Sequence, residues 1–136
     1  MIMSSDNGIT IGQLTEQLNQ KMDLPQGTSQ DTIDYVVEWK KPTEEDPSWY
    51  RVYKSGWIEQ GGKLTPSASS ILTFTFLKAF ANNNFTMTTG VIASDKYVKS
   101  VQIQNLNSIS FSYSVATDGG SLLASPFLWY ACGQGA

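Results

Sequence analysis

The groups able to do chemistry in this chain are carboxylates, cationic side chains, hydroxyls and one thiol, because its 136 residues include no histidine. That absence removes the commonest general base, the commonest zinc ligand and every Ser-His-Asp or Cys-His relay one chain could assemble. Hydrolysis by paired carboxylates is the enzyme class that survives, so the acidic residues are the first to weigh. Glu44, Glu45 and Asp46 lie between Pro42 and Pro47, which predicts an exposed loop of ionised, mutually repelling side chains. Asp34, Glu38 and Glu59 fall in strand-like stretches, and whether two of them face one cleft depends on strand pairing. No catalytic residues are therefore expected. No Asp-x-Asp-x-Asp-Gly loop is present and Thr117-Asp118-Gly119-Gly120 reads as a turn, so neither a metal nor another cofactor is expected. Gly61-Gly62 run into Lys63-Leu64 rather than into a helix start, which argues against a phosphate cradle. The single cysteine, Cys132, follows Phe127-Leu128-Trp129-Tyr130-Ala131 and reads as a buried, inert thiol.

Charge is unevenly placed. The chain carries 9 Lys+Arg against 12 Asp+Glu, a net charge of −3, which argues against a partner held by phosphate neutralisation such as nucleic acid. Only 15% of residues are charged, against roughly 25% in an ordinary soluble domain. The shortfall is local: beyond Lys63 the only charged residues are Lys78, Lys96, Lys99, Asp95 and Asp118. Ser, Thr, Asn and Gln stand in their place. So neutral a second half suggests surface covered by other subunits or offered to a neutral polar ligand such as sugar. No stretch approaches the ~20 apolar residues of a membrane span, and Met1-Ile2-Met3-Ser4-Ser5 is too short and polar to open a signal peptide.

The elements that must position these residues fall into two parts. In residues 1–32, Thr10 with Gln13 reads as a capping box, and Ile11, Leu14 and Leu18 make an apolar stripe that ends at Asp23-Leu24-Pro25. A helix of about three turns needs a partner surface, either its own domain or copies of itself in a coiled coil. Residues 26–32 form a polar linker. From Ile33 to Ala136 the pattern is mainly β, with strands expected at 33–40, 49–54, 57–61, 71–77, 85–92, 100–106, 108–115 and 127–133. About eight antiparallel strands fit a β-sandwich or a barrel-like domain. A two-residue loop at Ser55-Gly56 would set a hairpin with Lys54 facing Trp57, Tyr53 facing Ile58 and Val52 facing Glu59. Residues 108–115 alternate strictly, with four serines on one face and Ile109, Phe111, Tyr113 and Val115 on the other. The serine face suits packing against a second sheet or a shallow carbohydrate-facing surface.

The hairpin Trp49-Tyr50-Arg51 through Gly56-Trp57-Ile58-Glu59-Gln60-Gly61-Gly62, the neutral β-region after it and the closing Trp129-Tyr130-Ala131-Cys132-Gly133 resemble the C-terminal tip domain of bacteriophage and prophage tail fibres. The resemblance runs from about Asp34 to Gly133. It implies a non-enzymatic, homotrimeric receptor-binding tip at the distal end of a virion fibre, often preceded by a coiled-coil stalk. Ile11, Leu14 and Leu18 would then be oligomerisation residues. The partner would be a polysaccharide or an outer-surface protein of a bacterium, met without membrane insertion. Release by lysis would free such a protein, made in the bacterial cytoplasm, without a secretion signal. If the strands alternate up and down, the long loops 41–48, 62–70, 93–99 and 116–126 gather at the end away from the stalk. Asp46, Trp49, Lys96, Tyr97 and Asp118 on them are the expected receptor contacts, aromatics to stack on sugars and charged groups to hydrogen-bond hydroxyls. Two other readings stand beside this one: a fibre-trimerisation module without receptor contact, and a glycan depolymerase.

Overall fold

The alternating region folds into nine strands in the computed structural model, which describes residues 11–14 and 33–136. Contacts divide the chain into Met1–Asp34 and Tyr35–Ala136. In the first unit residues 11–14 are helical, with the side chains of Ile11 and Leu14 exposed. Leu18, the Thr10 cap and the rest of the expected helix lie outside the described residues. Among the described residues no helix is long and apolar enough to cross a membrane.

The second unit holds β1 (Val36–Lys40), β2 (Trp49–Tyr53), β3 (Trp57–Leu64), β4 (Leu72–Thr75), β5 (Thr86–Val91), β6 (Lys99–Gln104), β7 (Ser110–Thr117), the two-residue β8 (Leu122–Leu123) and β9 (Phe127–Gln134). They form two antiparallel sheets, β1-β2-β3-β9-β5 and β4-β7-β6, with β8 continuing the line of β4 along β7. Both sheets keep open edges, so the domain is a sandwich and not a closed barrel. Neighbouring strands are not sequential neighbours throughout, because β9 returns between β3 and β5. The connections still alternate between two ends. Segments 41–48, 65–71, 92–98 and 118–126 meet where β2, β4, β6 and β9 begin. The short turn 54–56, the segment 76–85 and the turn 105–109 occupy the other end, where β1 also begins.

Two registers differ from the sequence expectation, each through a local hydrogen bond. The β2–β3 turn has three residues, Lys54-Ser55-Gly56: the Gly56 N–H donates to the Tyr53 carbonyl at 2.8 Å, and Gly56 takes a φ of +89°. A tight turn followed by a left-handed glycine shifts pairing by one residue. Val52 therefore opposes Ile58, and Arg51 opposes Glu59. The shift sorts the ribbon, with apolar residues on one face and the charged pair on the other, whereas the expected register would have set Val52 against Glu59. In β7, the Asn107 side-chain oxygen accepts from the N–H groups of Ile109 (2.8 Å) and Ser110 (3.0 Å), so Ser108 and Ile109 stay in the turn and the strand starts at Ser110. Ile109 is exposed rather than in the apolar row. The left-handed residue of this turn is Asn105, φ +50°.

The core lies between the sheets. Phe127, Trp129 and Ala131 point inward from β9, Ile58 from β3, and Phe111, Tyr113 and Val115 from β7. Phe76 and Phe80, carried by the segment after β4, fill the remaining space, with Phe76 ring centroids 5.1–5.9 Å from those of Phe80, Phe85, Phe111 and Trp129. Each such buried side chain contributes about 1.5–3 kcal/mol of transfer free energy. Because β9 alternates, Cys132 falls on the outer face; it is half-buried there and not in the core as its neighbours implied.

Candidate functional site

The outward face of the five-stranded sheet is aromatic. The registers place Trp39, Trp49, Arg51, Tyr53, Trp57, Glu59, Gly61 and Tyr130 on this face. Gly61 opposes Trp49 and Tyr130, and a Cβ there would stand 2.6 Å from the Trp129 carbonyl oxygen and 3.0 Å from the Trp49 ring. Only glycine lets the Trp49 indole lie down on the sheet, where its centroid is 6.1 Å from that of Tyr130. Glu59 is the polar centre of this face. Its carboxylate accepts from the hydroxyls of Tyr53 (2.7 Å) and Tyr130 (2.9 Å), and Arg51 approaches to 3.6 Å. The bond to Glu59 raises the Tyr53 pKa above the ordinary phenol value; burial first, and then Glu59, raises that of Tyr130. Both phenols stay protonated as donors. Arg51 also lies over the Trp49 ring, 5.2 Å from its centroid.

The β1–β2 loop is built around Asp46. Its carboxylate accepts from the Ser48 hydroxyl (2.6 Å) and N–H (3.0 Å) and pairs with the Lys40 ammonium at 3.1 Å. The two Ser48 bonds, then Lys40, draw the Asp46 pKa down to about 2. Thr43 and Asp46 close the loop through backbone and hydroxyl bonds. Of the acidic run, Asp46 thus turns back into the loop.

Two depressions flank Trp49. One of about 250 Å³ is lined by Trp39, Lys40, Lys41, Pro42, Trp49, Tyr50 and Arg51. The other, about 470 Å³, is lined by Pro42, Pro47, Trp49, Gly62, Lys63, Leu128 and Trp129. They share Pro42 and Trp49, so together they form one track across the sheet at the long-loop end. Trp49 stands in its middle and Asp46 holds the loop that borders it.

Lys96 and Tyr97 occupy the 92–98 loop and Asp118 the 117–120 turn, both exposed. The pairing of Lys99 with Thr117 sets these two loops side by side at the end of the smaller sheet. The Asp95 carboxylate orders the first, accepting from the Tyr97 N–H at 3.1 Å and pairing with Lys99 at 3.2 Å. The expected contacts therefore form two groups at one end, Asp46 with Trp49 and Lys96 with Tyr97 and Asp118. Trp39, Lys41 and Arg51 were not foreseen. The available signal was Trp39 itself, an aromatic between the charged Glu38 and Lys40, and its indole is 58% accessible in the structure.

The strand carboxylates are divided between the faces. Glu38 opposes Val52 and is held by Lys78 (2.7 Å) and Tyr50 (2.7 Å), the Lys78 bond being the larger cause of its lowered pKa. Glu59 lies on the opposite side of the same sheet.

No family profile and no curated protein matches this sequence. Among solved structures the chain is similar to an N-truncated R2-type pyocin tail fibre, with a TM-score of 0.52 and 13% identity over 97% of this chain and 54% of that one. It is equally similar to the P. aeruginosa R2 pyocin fibre fragment comprising C-terminal residues 323–691, at TM-score 0.52 and 13% identity over 97% of this chain and 37% of that one. The chain spans about half of the first fragment and little more than a third of the second. The fold of this chain is one it shares with these pyocin tail-fibre fragments.

Proposed function

We propose that this chain is the tip of a tail fibre, a non-enzymatic homotrimer that attaches a phage or phage-derived particle to a polysaccharide or protein on a bacterial surface. The observation that carries the reading is the fold shared with pyocin tail-fibre fragments across 97% of the chain. The architecture supports it: the end opposite the start of β1 collects four long connections, and binding residues favour loops held by a rigid scaffold. Separation of Glu38 and Glu59 onto opposite faces, each already engaged, supports attachment without glycan cleavage. Labelled protein applied to a panel of strains with defined surface glycans should decorate a subset and release no reducing ends. Loss of decoration after replacement of the long loops supports the reading; decoration of no strain overturns it.

A second reading, a trimerisation module with no receptor contact, draws on exposed Tyr35, Val37, Leu106 and Ile109 at the end where β1 begins. Decoration that survives replacement of all four loops favours it.

A further inference from the structure

The smaller depression beside Trp49 is lined by charge of one sign. Lys40, Lys41 and Arg51 contribute to it and no carboxylate does, in a chain whose net charge is −3. Lys40 is already engaged by Asp46 and Ser48. Arg51 reaches Glu59 only at 3.6 Å, and Lys41 makes no ion pair among the described residues, lying instead 4.5 Å from the centroid of the Trp39 ring. Two cationic heads thus flank two indoles, which suits a ligand with an apolar ring face and an anionic substituent. The volume of about 250 Å³ lies below that of sites for drug-sized ligands, roughly 300–1,000 Å³, and suits one unit of a chain. The adjoining 470 Å³ depression continues the track past Trp49 and adds Lys63. The backbone of Trp129, whose indole points into the core, also borders it.

We infer that this track binds an acidic saccharide chain, one ring resting on Trp39 with its carboxylate or phosphate between Lys41 and Arg51, the next unit lying beside Trp49. The inference rests on the tail-fibre-tip reading and narrows its ligand from any surface glycan to a negatively charged one. It also places the ligand on the more charged half of the chain, and not on the neutral half that composition pointed to.

Tryptophan fluorescence and calorimetric titration of the full chain test it with three probes: oligogalacturonate, the same oligomer methyl-esterified, and poly(glycerol phosphate) carrying glucosyl units. Oligogalacturonate or the phosphate polymer should bind and quench emission, the ester at least about tenfold more weakly, since a charged hydrogen bond contributes about 1.5–3 kcal/mol. Which charged probe binds identifies the acid group. Lys41→Gln and Trp39→Ala should each weaken binding about tenfold, with Lys54→Gln, in the exposed turn at the opposite end, unchanged as a control. Equal binding of ester and acid, no binding of either charged probe, or variants that bind like the parent would overturn the inference. Decoration of bacteria separates the two levels: cells still decorated by Lys41→Gln and Trp39→Ala leave the tip reading standing while the track fails. Saccharide binding without decoration of any strain does the reverse.

Discussion

Gln60 is wholly enclosed, at 0% accessibility, and uses both ends of its amide on one residue of the segment after β4. Its Nε2 donates to the Lys78 carbonyl at 2.7 Å and its Oε1 accepts from the Lys78 N–H at 3.2 Å. The pair is a ladder bond made by a side chain, and it joins β3 to a segment with no strand of its own there. Gln60→Met keeps the volume and orphans two backbone groups, so it should cost about 2–4 kcal/mol in urea unfolding. Gln60→Glu adds a carboxylate facing a carbonyl, so its loss should be larger at neutral pH and partly recovered in acid. Asp46 gives a second pH signature. Its folded pKa of about 2 lies below the reference 3.8, so its contribution is present above about pH 4 and is lost as pH falls towards 2. Glu38 and Asp95, also lowered, act in the same direction. Asp46→Asn should flatten the acid limb of a stability-against-pH curve; an unchanged limb would assign it to the other carboxylates.

At the scale of elements, the Gly-Trp-Ile-Glu-Gln-Gly-Gly string of residues 56–62 has a separate task at nearly every position. Gly56 turns the chain, Ile58 enters the core, Glu59 gathers the tyrosines, Gln60 ties the crossing segment, and Gly61 seats Trp49. Gly56→Ala meets a left-handed backbone and the Gln134 side chain, while Gly61→Ala meets the Trp129 carbonyl and the Trp49 ring. Each should lower stability by about 1–3 kcal/mol, but only Gly61→Ala should also shift tryptophan emission and lose the saccharide track, because it lifts Trp49. This string also marks where sequence reading reached its limit. Strand existence was legible from alternation, and eight of the nine strands lie where it predicts. The hairpin register was not, because a two-residue and a three-residue turn share the dipeptide Ser55-Gly56 and differ only in a backbone dihedral. Trp49 was legible as a candidate contact from its type and its place after a long loop, and the structure sets it between the two depressions. Trp39 and Lys41 were not, since their convergence with Arg51 depends on β1 pairing with β2 across a register irregularity between Val36 and Glu38.

For the whole molecule the uncharged second half becomes a surface with a definite location. The outward side of the smaller sheet carries Thr73, Thr75, Ser100, Gln102, Gln104, Ser110, Ser112 and Ser114, without a charge among them. Thr73 and Ser112 hydroxyls bond at 3.0 Å, and Gln102 donates to Ser100 at 2.8 Å, so the polar groups partly satisfy one another and leave a flat sheet face. On the central strand β7, Ser112 and Ser114 are 7% and 3% accessible in a single chain. Such a face loses little solvation on meeting another copy and carries no charge to repel it. Light scattering at micromolar concentration should give the mass of three chains, and a one-chain mass would remove the homotrimer from the proposed function. Given a trimer, Gln102→Lys with Gln104→Lys decides where the copies meet, since both side chains are exposed and tolerate lysine in the isolated fold. Six lysines brought together across a packed face should reduce the mass to one chain at low salt, with partial recovery at high salt as the repulsion is screened. Retention of the three-chain mass would locate the contact elsewhere, and Leu14→Asp then tests the apolar stripe expected from the sequence at Ile11, Leu14 and Leu18 in the same measurement.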